Sequence, residues 1–179
     1  MSDKYLSCGL LYIKRFKRIG EKHLRIRHAS LNEQQQVLDV LNKVTLDLHQ
    51  KGINQWDYPW HENECSIDIK KNYAYVLIIE DKIVGTFFIK DIDCLSDLKI
   101  YSKSKYLYQI SILPEYQRNS LGSVIMNFAC SLATEVNKTI FLDCWSGNDK
   151  LKKFYVNNGF ESQGEFLEES YFITIFKYN

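Results

Sequence analysis

Residues 106–136 constrain the fold more than any other stretch of this sequence. Residues 106–113 (YLYQISIL) are rich in β-branched and aromatic side chains, as a strand requires, and Pro114 stops them. Leu121, Val124, Ile125, Phe128, Leu132 and Val136 then recur at spacings of three and four. That spacing gives a helix one continuous apolar face. A strand that turns directly into a strong helix belongs to chains that layer helices on a sheet.

The flanking segments extend the pattern. Residues 24–29 (LRIRHA) alternate apolar and basic side chains, the period of a strand. Ser30-x-x-Glu33 matches a capping box, and Val37, Leu38, Leu41, Val44 and Leu48 fall on one helical face before Gly52. Residues 73–79 (YAYVLII) and 82–90 (KIVGTFFIK) read as strands around a Glu80-Asp81 turn. Residues 139–145 (TIFLDCW) give another strand. Asn148 caps a short helix to about Asn157, Asn158-Gly159 closes it, and residues 171–178 (YFITIFKY) give the last strand. Residues 53–65 read as a polar and aromatic connector and 91–105 as a loop. The predicted order is β-α-ββ-β-α-β-α-β, an α/β class with a mixed sheet.

That order suits a single domain. A chain of 179 residues is one domain long. It buries roughly 70% of its unfolded surface, so its core needs neither disulfide nor metal. The five cysteines, Cys8, Cys65, Cys94, Cys130 and Cys144, form no C-x-x-C pair. Their odd number argues against a disulfide framework or zinc knuckle and for a reducing cytoplasm. His23, His28, His49 and His61 lack metal-ligand spacing, so no metal is expected. No apolar run approaches the ~18 residues of a membrane span. Leu10, Leu11, Tyr12 and Ile13 are followed rather than preceded by basic residues, so no signal peptide is expected. Net charge is +1 but uneven: residues 1–30 carry +6 and residues 31–179 carry −5. The basic start reads as a solvated extension, residues 1–23, before a folded unit, 24–179; an anionic partner is the sharper alternative. Without interleaved aromatics it is a poor nucleic-acid surface.

Residues 114–123 (PEYQRNSLGS) occupy the strand–helix junction. Backbone N–H groups at the positive end of a helix suit a phosphate or pyrophosphate. Gly122 allows close backbone approach, and Arg118 can fork onto phosphate oxygens. An ordinary turn with a solvated arginine has the same residues. Neither a Walker loop nor a G-x-G-x-x-G fingerprint is present. A second constellation follows the strand at 139–145: Ser146-Gly147-Asn148, then Leu151, Phe154, Tyr155, Gly159 and Phe160.

Taken in order, QRNSLGS at 117–123 and NDKLKKFYVNNGF at 148–160 resemble the GNAT acetyltransferase superfamily. The first looks like its pyrophosphate loop, the second like its N-x(6)-Y-x(3)-G-F element. The first strand and helix and Val84-Gly85-Thr86 fit as well, so the resemblance spans about residues 24–179. It implies the acyl-CoA N-acyltransferase fold, a single domain with a strongly twisted mixed sheet, flanked by helices and splayed between strands 106–113 and 139–145. It implies acetyl-CoA as co-substrate in that splay, with the backbone at Ile110, Ser111 and Ile112 pairing with the pantetheine arm as an added strand would. Gln117, Arg118, Asn119, Ser120, Leu121, Gly122 and Ser123 would hold the pyrophosphate, and Asn148 would touch the cofactor or the adjacent strand. The family expects glycine where Ser120 stands. If the position needs φ > 0, serine costs about 1 kcal/mol; if it needs only close approach, the small hydroxyl is tolerated.

The implied reaction is acetyl transfer from acetyl-CoA to a primary amine, a small molecule or a peptide N-terminus, by direct attack. The amine must lose a proton and the leaving thiolate must gain one. Tyr155 matches the tyrosine that commonly serves the family as general acid, and a phenol of ordinary pKa near ~10 is protonated at neutral pH. The same tyrosine could simply pack beside Phe154. Asp143 is a carboxylate in an otherwise apolar strand, which is unfavourable unless it is paired or faces a cleft. Some N-terminal acetyltransferases of the family have a catalytic carboxylate at the matching position, so Asp143 is expected as base or water-positioner, with a strand-fixing role as the alternative. Cys144 faces the opposite way and has no histidine placed to activate it, which argues against covalent catalysis. Trp56, Tyr58 and Trp60 could wall an acceptor pocket, pack on the core or form a homodimer contact. The alternative function is a CoA-binding regulatory or interaction module on the same fold.

Overall fold

The structure, a computed structural model, describes residues 17–19, 22–53 and 55–179. The first strands are β1 (Lys17–Ile19) and β2 (Lys22–His28). A 3₁₀ turn, Leu31–Glu33, leads into α1 (Gln34–Gln50), and α2 (Glu62–Lys70) follows. Then come β3 (Ala74–Ile79), β4 (Lys82–Leu95) and β5 (Leu98–Ile112). A second 3₁₀ turn, Pro114–Tyr116, precedes α3 (Leu121–Glu135). The chain finishes with β6 (Ile140–Trp145), α4 (Asp149–Asn157), β7 (Glu161–Glu168) and β8 (Tyr171–Tyr178). Among the described residues the eight strands form one sheet in the order β1-β2-β3-β4-β5-β6-β8-β7. Every neighbouring pair is antiparallel except β5 and β6. This is the mixed, helix-flanked sheet that the sequence predicts.

Helices α1 and α3 form where the apolar periodicity lies. On α3, Leu121, Ile125, Met126, Ala129, Cys130, Leu132 and Ala133 are buried, and with Tyr155 of α4 they pack on one sheet face against Leu77, Phe87, Leu107 and Leu142. On α1, Val37, Leu38, Val40, Leu41 and Val44 pack on the other face with Cys65 and Ile69 of α2. Each fully buried aliphatic or aromatic side chain of this kind contributes about 1.5–3 kcal/mol. The capping box at α1 is present: the Glu33 carboxylate accepts from the Ser30 backbone N–H at 2.9 Å and from its hydroxyl at 2.8 Å. It also takes a two-pronged bond from the Arg27 guanidinium. That pairing with Arg27 pulls the Glu33 carboxyl down to about 2. The Glu80-Asp81 turn has φ of +48° and +64°, the left-handed pair that a two-residue hairpin requires.

Four segments differ from the sequence expectation. Residues 91–105 are not a loop: they are the outer arms of β4 and β5, paired Asp91 to Lys105 and Ile92 to Ser104. Ile92, Leu95, Leu98 and Ile100 hold that hairpin down on Phe141, Ile173 and Ile175. The connector after Gly52 gives way at Glu62 to α2, whose buried side chains are Cys65 and Ile69 alone, one turn apart. Residues 161–168 form an edge strand, β7, too polar to read as buried sheet. Finally, Lys17–Ile19 pair with Lys22–Leu24, so the sheet continues into the basic extension, whose residues 1–16 lie outside the described ones.

Candidate active site

β5 and β6 pair at only two positions, Lys105 with Ile140 and Tyr106 with Phe141. Beyond them β5 runs on to Ile112 bonded to β4, and β6 runs on to Trp145 bonded to β8. The two strands therefore part above Tyr106, and a wedge opens between them. Gln109 has φ of +50°, and both Gln109 and Ile110 stand opposite Phe87, a bulge that adds one residue to β5. Leu107, Ile110 and Ile112 consequently all pack on the α3 side, three then two residues apart. Ser111, fully buried with an unpartnered hydroxyl, lies opposite Thr86. Gly85 admits this strand closely, since a Cβ there would stand 2.8 Å from the Ser111 carbonyl oxygen.

The loop that follows closes the wedge at one end. The Gln117 amide donates to the Ile112 carbonyl at 2.9 Å, so this side chain ties the loop to the end of β5. Asn119 donates to the Tyr116 carbonyl at 3.3 Å. Arg118 and Ser120 both have left-handed backbones, with φ of +66° and +57°. Ser120 is the residue before α3, and its side chain makes no capping bond. The amides of Leu121, Gly122 and Ser123 are the first in α3 and have no carbonyl one turn back within the helix. Gly122 has a packing reason as well: a Cβ there would lie 2.9 Å from the ring of Phe154 on α4. This contact brings the loop beside the second constellation. Asn148 caps α4, accepting from the Leu151 N–H at 3.0 Å, so its carbonyl oxygen serves the helix.

Tyr155 and Asp143 reach the wedge from opposite faces of the sheet, Tyr155 with Cys144 on the α3 side and Asp143 on the side of Phe141. Tyr155 is 4% exposed, with Phe154, Phe160 and Phe176 around its ring. Burial, with Cys144 and Asp143 nearby, pushes its hydroxyl well above the usual phenol range, so it keeps its proton at neutral pH. Asp143 lies on β6, and the Tyr106 hydroxyl donates to its Oδ1. Burial raises the Asp143 carboxyl, the bond from Tyr106 opposes that rise, and Glu168 adds to it. Burial also pushes the Cys144 thiol up to about 12, which leaves it protonated and poorly suited to nucleophilic attack.

On the α2 side of β5 the ring of Tyr106 stacks on that of Tyr108, with centroids 5.4 Å apart and planes within 5°. The Lys90 ammonium lies 5.6 Å and 4.9 Å from the two ring centres. The Tyr108 hydroxyl donates to Asp68 of α2 at 3.1 Å. Tyr106, Tyr108, Asp68 and Lys90 were not among the residues that the sequence singled out. Alternation along β5 and β6 could have put Tyr106 beside Asp143, but only once the pairing register was known. The aromatic connector packs inward: the Trp60 indole donates to Thr45 of α1 at 2.8 Å, and Trp56 and Trp60 meet edge to face. Tyr58 is exposed.

Known proteins share this fold. The family model described as acetyltransferase (GNAT) family matches residues 42–160. No curated protein sequence matches the chain. A GNAT-family acetyltransferase from Listeria monocytogenes is 20% identical, with a TM-score of 0.72 over 87% of this chain and 94% of that one. A GNAT-family acetyltransferase from Streptococcus agalactiae is 16% identical, with a TM-score of 0.73 over 94% of this chain and 97% of that one. PaiA N-acetyltransferase from Thermoplasma acidophilum, solved in complex with coenzyme A, is 16% identical, with a TM-score of 0.67 over 87% of this chain and 99% of that one. With the family model covering most of the sequence and the splayed sheet in place, the chain belongs to the GNAT acetyltransferase family.

Proposed function

We propose that residues 24–179 form an N-acetyltransferase that moves an acetyl group from acetyl-CoA to a primary amine, a small molecule or a peptide N-terminus, by direct attack. One observation carries the reading: the wedge between β5 and β6 is flanked by a buried, protonated Tyr155 and by a carboxylate, Asp143. In this reading the outer backbone edge of Ile110, Ser111 and Ile112 pairs with the pantetheine arm. The amides from Arg118 to Ser123 receive the pyrophosphate, aided by the Arg118 charge. The coenzyme A complex of the Thermoplasma PaiA enzyme supports the same ligand class for this fold.

Asp143 takes the proton of the acceptor amine, directly or through a water, and its burial-raised pKa makes it a better base for that task. Tyr155 gives its proton to the departing thiolate. Cys144, held protonated, takes no part. The four described cysteines are free thiols, which suits a reducing cytoplasm.

The experiment is an acetyl-CoA consumption screen over polyamines, aminoglycosides, amino acids and short peptides, followed by Tyr155→Phe on the best acceptor. Loss of one hydroxyl leaves the packing nearly intact. We expect kcat to fall by roughly 10²–10⁴ with CoA affinity little changed. Full activity in a well-folded Tyr155→Phe protein would remove the general-acid role. Tight CoA binding with no acetylation of any amine would favour a CoA-binding regulatory module, the reading that the strained Ser120 backbone keeps in view.

A further inference from the structure

We propose that Tyr106 is a positioning residue for this reaction: its hydroxyl holds Oδ1 of Asp143 across the apex of the wedge and leaves Oδ2 to take the proton of the acceptor amine. The inference rests on the acetyltransfer reading and adds to it the residue that aims the base.

Strand register carries the argument. Tyr106 makes the last β5–β6 bridge, with Phe141. Asp143 lies two residues further along β6, on the same side of the strand as Phe141. The bond from Tyr106 to Asp143 therefore slants over the point where the strands separate. The ring that donates it is itself fixed. Tyr108 stacks beside it, Lys90 lies over both rings, and Tyr108 is anchored in turn to Asp68 on α2. A ring held this way presents its hydroxyl in one direction, and the carboxylate that accepts from it is held too.

The groups around Asp143 come from four elements besides its own. Tyr106 reaches it from β5, Glu168 from β7, Tyr171 from β8 and Tyr155 from α4, with Cys144 its neighbour on β6. Tyr106 is faced in addition by Lys90 of β4. Among these described groups Tyr106 is the one that donates a hydrogen bond to the carboxylate. Glu168 acts on Asp143 in the opposite sense, through repulsion. Removing the Tyr106 hydroxyl leaves burial and Glu168 unopposed, so the carboxyl should hold its proton to higher pH.

The test uses the full chain labelled with carboxyl-¹³C aspartate, with the Asp143 resonance identified by its loss in Asp143→Asn. In Tyr106→Phe its titration midpoint should rise by about one pH unit, the effect of losing a hydrogen bond to a charged group. A second arm uses wild-type protein labelled at tyrosine Cζ. The Tyr106 resonance should follow the Asp143 titration and should stop doing so in Asp143→Asn, which keeps the proposal open to refutation even if Tyr106→Phe does not fold. With the best amine from the acetyl-CoA screen as acceptor, Tyr106→Phe should lose about tenfold in kcat with KM little changed. The acid limb of kcat/KM should move up with the carboxyl midpoint. A lower Tm with both midpoint and limb unmoved would make Tyr106 a strand clamp and overturn the proposal. A moved midpoint with an unmoved limb would overturn it too, since Asp143 would then not be the base. Absence of any acceptor would instead sink the acetyltransfer reading, while the two titrations would still report on the Tyr106–Asp143 bond.

Discussion

Ser30 and Ser120 both stand where a strand gives way to a helix, and the chain treats them differently. At Ser30 the backbone is extended, with φ of −96°, and its N–H and hydroxyl both donate to Glu33, which Arg27 also grips. That junction satisfies itself from within the chain. At Ser120 the backbone is left-handed, with φ of +57°, and the third helical position is Ser123 in place of a carboxylate. A helix start whose first turn already holds a carboxylate, Glu33, repels a further anion. One with no acidic residue in its first turn, at a cost in backbone strain of about 1 kcal/mol, is suited to an anion brought from outside. The comparison teaches where to look for phosphate in a chain with two similar junctions.

The largest expected effect separates the junctions directly. CoA at about a hundred times its Kd should stabilise the protein by about 2.7 kcal/mol. Hydrogen exchange should show new protection at the amides of Leu121, Gly122 and Ser123 and none at Leu31 to Gln34. Equal protection at both junctions, or none at α3, would break the contrast.

Next in size is Glu33→Gln. The Glu33 carboxyl sits near 2 in the folded protein, below its unfolded value of about 4.3, so its contribution is complete above about pH 4.5 and fades as the pH falls toward 2. The variant should melt about 2–6 °C lower at pH 7, with the gap closing in acid and CoA affinity unchanged. A gap that persists at pH 2 would mean that charge is not the reason for it.

The smallest effect is Ser120→Gly. Glycine adopts φ of +57° without a Cβ penalty, at the cost of a more flexible unfolded chain. The melt should rise by about 1–3 °C with CoA affinity within about twofold. A fall in Tm would show that the serine side chain holds the turn in a way that the backbone angles do not express.

How much of this was legible in the sequence follows from how local each signal is. The periodicity of Leu121, Ile125 and Leu132 and the cap at Ser30 are local facts, and both hold in the structure. Asn148 as the cap of α4 is another. Helix α2 escaped notice because two buried residues one turn apart, Cys65 and Ile69, make too narrow a stripe to set a period. The arms of β4 and β5 escaped because their apolar residues are interspersed with Asp91, Asp93, Lys99 and other polar residues and find their partners on β6 and β8, far along the chain. Within the candidate site, the loop at 117–123 and Tyr155 stood out through the resemblance of their motifs. Tyr106 did not, because its partner is fixed by a register between strands more than thirty residues apart, and the bulge at Gln109 sits on a residue type that gives no hint of φ > 0.

The narrow β5–β6 seam also bears on how the molecule assembles. From β1 to β5 every strand pairs with its neighbour in sequence, which is topology that forms quickly because little chain entropy is lost before each contact rewards it. The last three strands make a second set around β8. Two bridges join the sets, and they must wait for α3 to bring β6 alongside β5. The transition state should then carry high φ-values at Leu77 and Phe87 and low ones at Ile140 and Phe141. A sub-global opening in the native state would run along the seam and split the wedge before it melted either half. Equal φ-values on the two sides would show that the halves form as one.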